Sequence, residues 1–106
     1  ITFEDFKKVD LRTAEIVQAE KVDGADRLLK IQVKMGEDTR QIVAGIAEHY
    51  KPDALIGKKV ILVANLKPVE IRGVESQGML LAASDENSLT LVGLDDNDLP
   101  SGLNVS

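Results

Sequence analysis

Between Leu28 and Met35 the chain alternates better than anywhere else: Leu29, Ile31, Val33 and Met35 fall to one side, Lys30, Gln32 and Lys34 to the other. A period of two sends successive side chains to opposite faces, so this segment reads as a half-buried strand and not as a helix. From Leu11 the same kind of residue continues with a poorer period. Leu11, Thr13, Glu15 and Val17 oppose Arg12, Ala14, Ile16 and Gln18, which predicts one long strand to Val22 with a bulge in it. Asp23-Gly24-Ala25-Asp26 is a turn, and Gly36-Glu37-Asp38 closes a hairpin into Thr39–Ala44. Lys59–Leu66, Met79–Ser84 and Ser88–Leu94 read as further apolar strands, and Leu99–Val105 as a turn with a short strand. Thr2 is placed to cap a single helical turn containing Phe3 and Phe6, whose shared face needs covering. Gly45–Tyr50 is predicted as a short helix and Pro52–Leu55 as another turn of helix, ended by Gly57.

Five main strands with one helical stretch between the third and fourth predict an all-β chain: an OB-fold, a five-stranded Greek-key barrel, with short helices and a C-terminal extension. The 106 residues make one domain, 1–106. With 3% aromatic residues the core must be built from Val, Ile, Leu and Ala. There is no cysteine, which excludes disulfides, thiolate chemistry and cysteine-based zinc sites and fits a cytoplasmic setting. No apolar run reaches the ~20 residues needed to cross a bilayer, so no membrane partner is expected. Opening on Ile1, the sequence is expected to be a piece of a longer protein.

The net charge is −5, which argues against indiscriminate binding of nucleic acid. Its distribution matters more. All 13 Lys and Arg lie in residues 1–72, whereas residues 73–106 carry acidic groups and no basic one. Any anion-binding face is therefore expected from the first two-thirds of the chain.

One polar loop lies between two apolar strands. Asn65, Lys67, Arg72, Ser76 and Gln77 stand between Val63-Ala64 and Met79-Leu80, broken by Pro68, Gly73 and Gly78. A loop so rich in donors on a rigid scaffold reads as a recognition surface. Each residue also has a plainer reading: Asn65 as a turn cap, Lys67 and Arg72 as solvated charges, Ser76 and Gln77 as support for a bulge, Met79 as a core filler. No nucleophile is paired with a base. His49 lacks an orienting acid. The acidic run Asp95-Asp96-Asn97-Asp98 lacks the spacing and final bidentate Glu of a calcium loop. No catalytic residue, metal site or cofactor is indicated, and the chain reads as a binding domain, not an enzyme.

Val9-Asp10-Leu11-Arg12, Ala25-Asp26-Arg27-Leu28-Leu29-Lys30, Arg40-Gln41-Ile42-Val43-Ala44-Gly45-Ile46 and the Val63–Ala83 stretch resemble the tRNA-binding domain family over essentially the whole chain. That family occurs at the C-terminus of many bacterial methionyl-tRNA synthetases, as free-standing tRNA-binding proteins, and in a small secretion chaperone. The resemblance implies a homodimer that binds tRNA by its structure and serves a synthetase catalytic core in protein biosynthesis. It places RNA contacts on Arg27, Ser76 and Met79; Asn65, Lys67, Arg72 and Gln77 join them on chemical grounds. Val69-Glu70 departs from relatives that have basic residues after the Lys-Pro pair, which predicts more salt-sensitive RNA binding. The alternative is a dimeric chaperone of the same fold that binds unfolded polypeptide.

Overall fold

A computed structural model describes all residues, 1–106. The chain runs α1 (Phe3–Phe6), β1 (Leu11–Val22), β2 (Ala25–Met35), β3 (Asp38–Ala44), α2 (Pro52–Leu55), β4 (Lys59–Val63), β5 (Val69–Ile71), β6 (Val74–Ser76), β7 (Met79–Leu80), β8 (Ala82–Ser84), β9 (Leu89–Leu91) and β10 (Asn104–Val105). The fold is mostly β, as the alternating pattern predicts.

The sheet order is β3-β2-β1-β4-β7, all antiparallel. It closes on itself because residues just before β7 bond back to β3: the Gln77 N–H donates to the Gln41 carbonyl at 2.7 Å. The strands thus form a five-membered barrel. β1 serves two neighbours along one length. Its first half pairs with β4 and its second with β2, with register shifts between Ile16 and Gln18 and between Lys21 and Val22. The expected bulge is one of these shifts, and it bends the strand around the barrel.

The alternation of β2 does what its pattern requires. Leu29, Ile31 and Val33 have no exposed surface, and they meet Ile16, Ile42, Leu55 and Leu62 in the core. Burying a branched aliphatic side chain contributes roughly 1.5–3 kcal/mol, so this inward row dominates barrel stability.

Thr2 caps α1 as expected. Its hydroxyl accepts from the Asp5 N–H and the Asp5 carboxylate accepts from the Thr2 N–H, a reciprocal capping box. Phe3 and Phe6 are not covered within the chain; Phe3 is 68% exposed.

Several sequence expectations change in the structure: the strand expected over Ser88–Leu94 shortens to Leu89–Leu91, and Ala25 and Asp26, expected in the turn, already belong to β2. Gly45–Tyr50 is a turn, not a helix: the Ile46 carbonyl accepts from both His49 and Tyr50 N–H, and Lys51 is then extended. Pro52 disfavours helical backbone at the residue before it, so no helix can pass through to α2. The strand expected over Lys59–Leu66 stops at Val63, because Ala64 and Asn65 turn to bond the N-terminal segment. The strand expected over Met79–Ser84 breaks at Leu81, whose N–H reaches Ile61 in the barrel while its carbonyl accepts from Val92. That exchange hands the chain to a separate small sheet of β8 and β9. Finally, the polar loop contains a two-stranded ribbon, β5–β6.

The C-terminal segment lies against the start of β1. The Thr13 hydroxyl donates to the Pro100 carbonyl at 3.0 Å and accepts from the Leu103 N–H at 2.9 Å, and β10 pairs with Leu11 and Arg12. Gly102, at φ +86°, approaches the β2–β3 hairpin so closely that a Cβ there would lie 2.7 Å from the Gly36 nitrogen. Only glycine permits both the backbone angle and the approach.

Candidate nucleic-acid interface

Two hairpin tips face each other. β1 and β2 turn at Asp23-Gly24, since Val22 pairs with Ala25. β5 and β6 turn at Arg72-Gly73, since Ile71 pairs with Val74. Both residues of the second turn have positive φ, +53° at Arg72 and +81° at Gly73. That is the pattern of the turn that best matches the twist of a two-residue hairpin.

The β5–β6 ribbon is held in place by polar bonds to β3. The Gln41 side chain donates to the Glu75 carbonyl at 2.8 Å, and the Gln41 N–H donates to the Gln77 side-chain oxygen at 2.9 Å. The Val43 N–H donates to the Ser76 hydroxyl at 3.0 Å, and that hydroxyl donates to the Gly78 carbonyl at 3.1 Å. From the side, the Arg40 guanidinium donates to the Ala64 carbonyl at 2.8 Å. Gly78 lets the chain pass tightly over the core: a Cβ there would meet Leu62 Cδ1 and the Val63 carbonyl oxygen at 2.9 Å.

So anchored, the ribbon lays Arg72 against the β1–β2 hairpin. A groove of about 400 Å³ is lined by Glu20, Lys21, Val22, Asp23, Lys30, Arg72 and Val74. A second, of about 450 Å³, is lined by residues 24–28 together with Ile71 and Arg72. Arg72 belongs to both, and Arg27 lines the second. Two cations far apart in sequence therefore share one surface. Arg27 is highly exposed, and its Nε lies 2.9 Å from the Glu48 carboxylate. Lys30 is paired with Glu20 at 2.7 Å.

The seven residues singled out from the sequence fall into three groups. Arg27 and Arg72 line one groove beside the hairpin tips. Lys67 and Met79 are exposed at the base of the ribbon. Asn65, Ser76 and Gln77 do structural work. Asn65 accepts from the Asp10 N–H at 2.9 Å and donates to the Lys8 carbonyl at 2.7 Å, so its side chain clasps the N-terminal segment. Ser76 is 2% exposed and its hydroxyl both donates and accepts within the chain, so it presents almost no surface to a ligand. Gln77 completes the β3 ladder with its own amide oxygen.

Sequence reasoning missed Lys21 and Lys30 as groove residues, although the turn at Asp23-Gly24 puts Lys21 beside the hairpin tip. It also missed Arg40 and Gln41 as anchors of the ribbon; only the non-local pairing of β3 with residues 75–77 reveals them. No cluster of three or more His, Cys, Asp or Glu side chains is arranged to hold a metal, and no helix is long and apolar enough to cross a membrane.

Residues 11–103 match the family model described as "Putative tRNA binding domain". The chain belongs to the tRNA-binding domain family. Among sequence relatives of this tRNA-binding domain, the methionine–tRNA ligase of Deinococcus radiodurans is 57% identical over 106 residues, covering 99% of the chain and 15% of the ligase. That of Caldanaerobacter subterraneus is 55% identical over 106 residues, covering all of the chain and 16% of the ligase. The chain thus spans about one-sixth of the length of these relatives. Among solved structures, the methionyl-tRNA synthetase-related protein of Pyrococcus horikoshii is 37% identical with a TM-score of 0.93; the match covers all of this chain and 97% of that one. The chaperone CsaA of Bacillus anthracis is 29% identical with a TM-score of 0.91, covering all of this chain and 98% of the chaperone.

Proposed function

We propose that this chain is a single, non-catalytic tRNA-binding module that grips the folded RNA by its sugar–phosphate surface and not by base sequence. The observation that carries this reading is the meeting of Arg27 and Arg72 on one groove between two anchored hairpin tips. The barrel class that binds oligonucleotides uses loops at these positions. None of Phe3, Phe6 and Tyr50 lines either groove, so the stacking that reads unpaired bases is missing there. Contacts to phosphates and 2′-hydroxyls supply affinity and sense shape. Lys67 extends the positive surface to the ribbon base, and Met79 offers a polarisable contact. Asn65, Ser76 and Gln77 contribute by fixing the loop that carries these groups.

The module serves a methionyl-tRNA synthetase, as a C-terminal appendage, in cytoplasmic protein biosynthesis. Its length relative to the ligases supports an appendage. Tethering raises the effective tRNA concentration at a catalytic core and adds no chemistry of its own. Two copies pair through α1 and the segment after Ser84. Support comes from the uncovered Ile1 and Phe3, together with Leu99 and Leu103 at about 40% exposure. Large apolar groups left in water mark contact surfaces. Sedimentation equilibrium of wild type and Phe3→Asp tests the pairing.

A gel-shift titration with bulk tRNA across a salt series tests the main reading. Binding should weaken steeply with salt, and no shift even at ~50 mM salt, where phosphate contacts are strong, would refute it. The second reading is a chaperone of the same fold. Leu66, Val69 and Met79, each about half exposed around the ribbon, favour it. A protein that holds an unfolded precursor and ignores tRNA would decide for that reading.

A further inference from the structure

Arg72 is the only residue other than glycine with positive φ, at +53°. A left-handed backbone angle is costly for a side chain with a Cβ, and the first position of this turn type ordinarily holds Asn, Asp or Gly. Strain of this kind persists where the surrounding structure enforces it, and it clusters at functional sites. The following residue, Gly73, is already the ordinary choice, so a favourable turn was one substitution away. What Arg72 gains over Asn is reach and charge: the residue lines both grooves at the β1–β2 hairpin.

Across the first groove stands Lys21. The six ion pairs in the molecule use Lys8, Arg12, Arg27, Lys30, Arg40 and Lys59, and none uses Lys21 or Arg72. Of the two acids in the groove wall, Glu20 is taken by Lys30, which leaves Asp23 at the turn. The groove therefore holds two cations without carboxylate partners, one from each hairpin. A phosphodiester group carries two non-bridging oxygens that two opposed cations can share, and Arg offers it a planar fork of donors.

Resting on the tRNA-binding reading, we infer that Arg72 and Lys21 form one phosphate subsite bridging the two hairpin tips, and that the strained backbone at Arg72 is maintained for this grip. The subsite holds one backbone phosphate and reads no base. Glu20 keeps Lys30 out of that grip, and Asp23 bounds the groove at the turn.

The test uses the intact chain, bulk tRNA and three variants, Arg72→Asn, Lys21→Gln and the double variant, with Arg72→Lys as control. Relief of the left-handed strain raises the Tm of Arg72→Asn by roughly 4–8 °C. One phosphate contributes roughly 0.7–0.9 to the slope of log K against log salt, which corresponds to roughly 5–8-fold in affinity at ~0.1 M relative to ~1 M salt. Arg72→Asn and Lys21→Gln should each lose about that slope. The double variant should lose no more than one phosphate's worth, and Arg72→Lys should keep both slope and Tm. A double variant losing twice the single slope shows two independent phosphates and overturns the shared subsite. Arg72→Asn with unchanged slope overturns it too, while tRNA binding itself stands. An Arg72→Asn protein with lowered Tm overturns the claim of strain. Failure of the wild type to bind tRNA at any salt removes the parent reading, a result distinct from all of these.

Discussion

Replacing Ser76 by Ala removes one oxygen that satisfies two backbone groups. The Val43 N–H loses its acceptor at 3.0 Å and the Gly78 carbonyl loses its donor at 3.1 Å. Val43 is 7% exposed, so water reaches its N–H poorly. A buried polar group left without a partner costs about 1–3 kcal/mol. Gly78 is only half-buried and regains part of its bond from solvent, so the total is set mainly by Val43, at about 2 kcal/mol. For a domain of this size that lowers Tm by about 8–16 °C, and it lowers the urea midpoint by roughly 1–2 M for a slope of about 1–2 kcal/mol/M. Well below Tm the ribbon stays seated through Gln41 and Gln77. The tRNA affinity of folded Ser76→Ala should then stay within about twofold of wild type. Urea denaturation and a tRNA titration at 15 °C measure the two quantities separately. An Ala variant with wild-type stability and tenfold weaker tRNA binding would show that the hydroxyl meets the ligand, and the structural assignment of Ser76 would be wrong.

Gly102→Ala should destabilise the chain by about 2–4 kcal/mol, since the added Cβ is both overpacked against Gly36 and left-handed. Hydrogen exchange at the Gly102 and Leu103 amides should accelerate selectively, and unaltered exchange there would count against the anchoring of the C-terminal segment on Thr13. Glu48→Gln frees Arg27 from an exposed pair worth only about 0–1 kcal/mol; stability should hardly change while the salt dependence of tRNA binding steepens, and a flat response would remove Arg27 from the interface. The Asp85 carboxyl is held below the usual aspartate range by the Ser88 hydroxyl and by the Asn87 and Ser88 N–H groups that donate to it. Because its folded-state pKa is depressed, the turn between β8 and β9 gains from it above the ordinary aspartate pKa and loses that gain as pH falls through the folded value; carboxyl NMR titration of Asp85 with the Ser88 amide as reporter checks the direction.

The parts of this fold legible in the sequence are those whose cause is local. Leu29, Ile31 and Val33 announce their strand because the same three side chains define both pattern and core. Thr2 and Asp5 announce α1 because a capping box spans four residues. The ribbon was hidden for the opposite reason. Pro68, Glu70, Arg72 and Gly73 read as loop chemistry, and the β5–β6 ribbon among them is seated by polar bonds to β3, some 34 residues earlier, such as that from the Gln41 side chain to the Glu75 carbonyl. The same distance hid the burial of Ser76: a hydroxyl in a polar loop looks exposed until its acceptor and donor are both found inside. Arg27 and Arg72 were each readable as cations, but their common groove depends on where two hairpins point, which no spacing in the sequence encodes.

β1 also sets where the C-terminal strand lies. Leu11 sits beside Val105 at one end of that strand, and the hairpin with the candidate groove sits at the other. Eleven residues of strand separate them, roughly 35 Å of contour. A fluorescent label joined after Val105 would therefore sit at the end of β1 away from the hairpin, leaving the groove between the hairpin tips unobstructed.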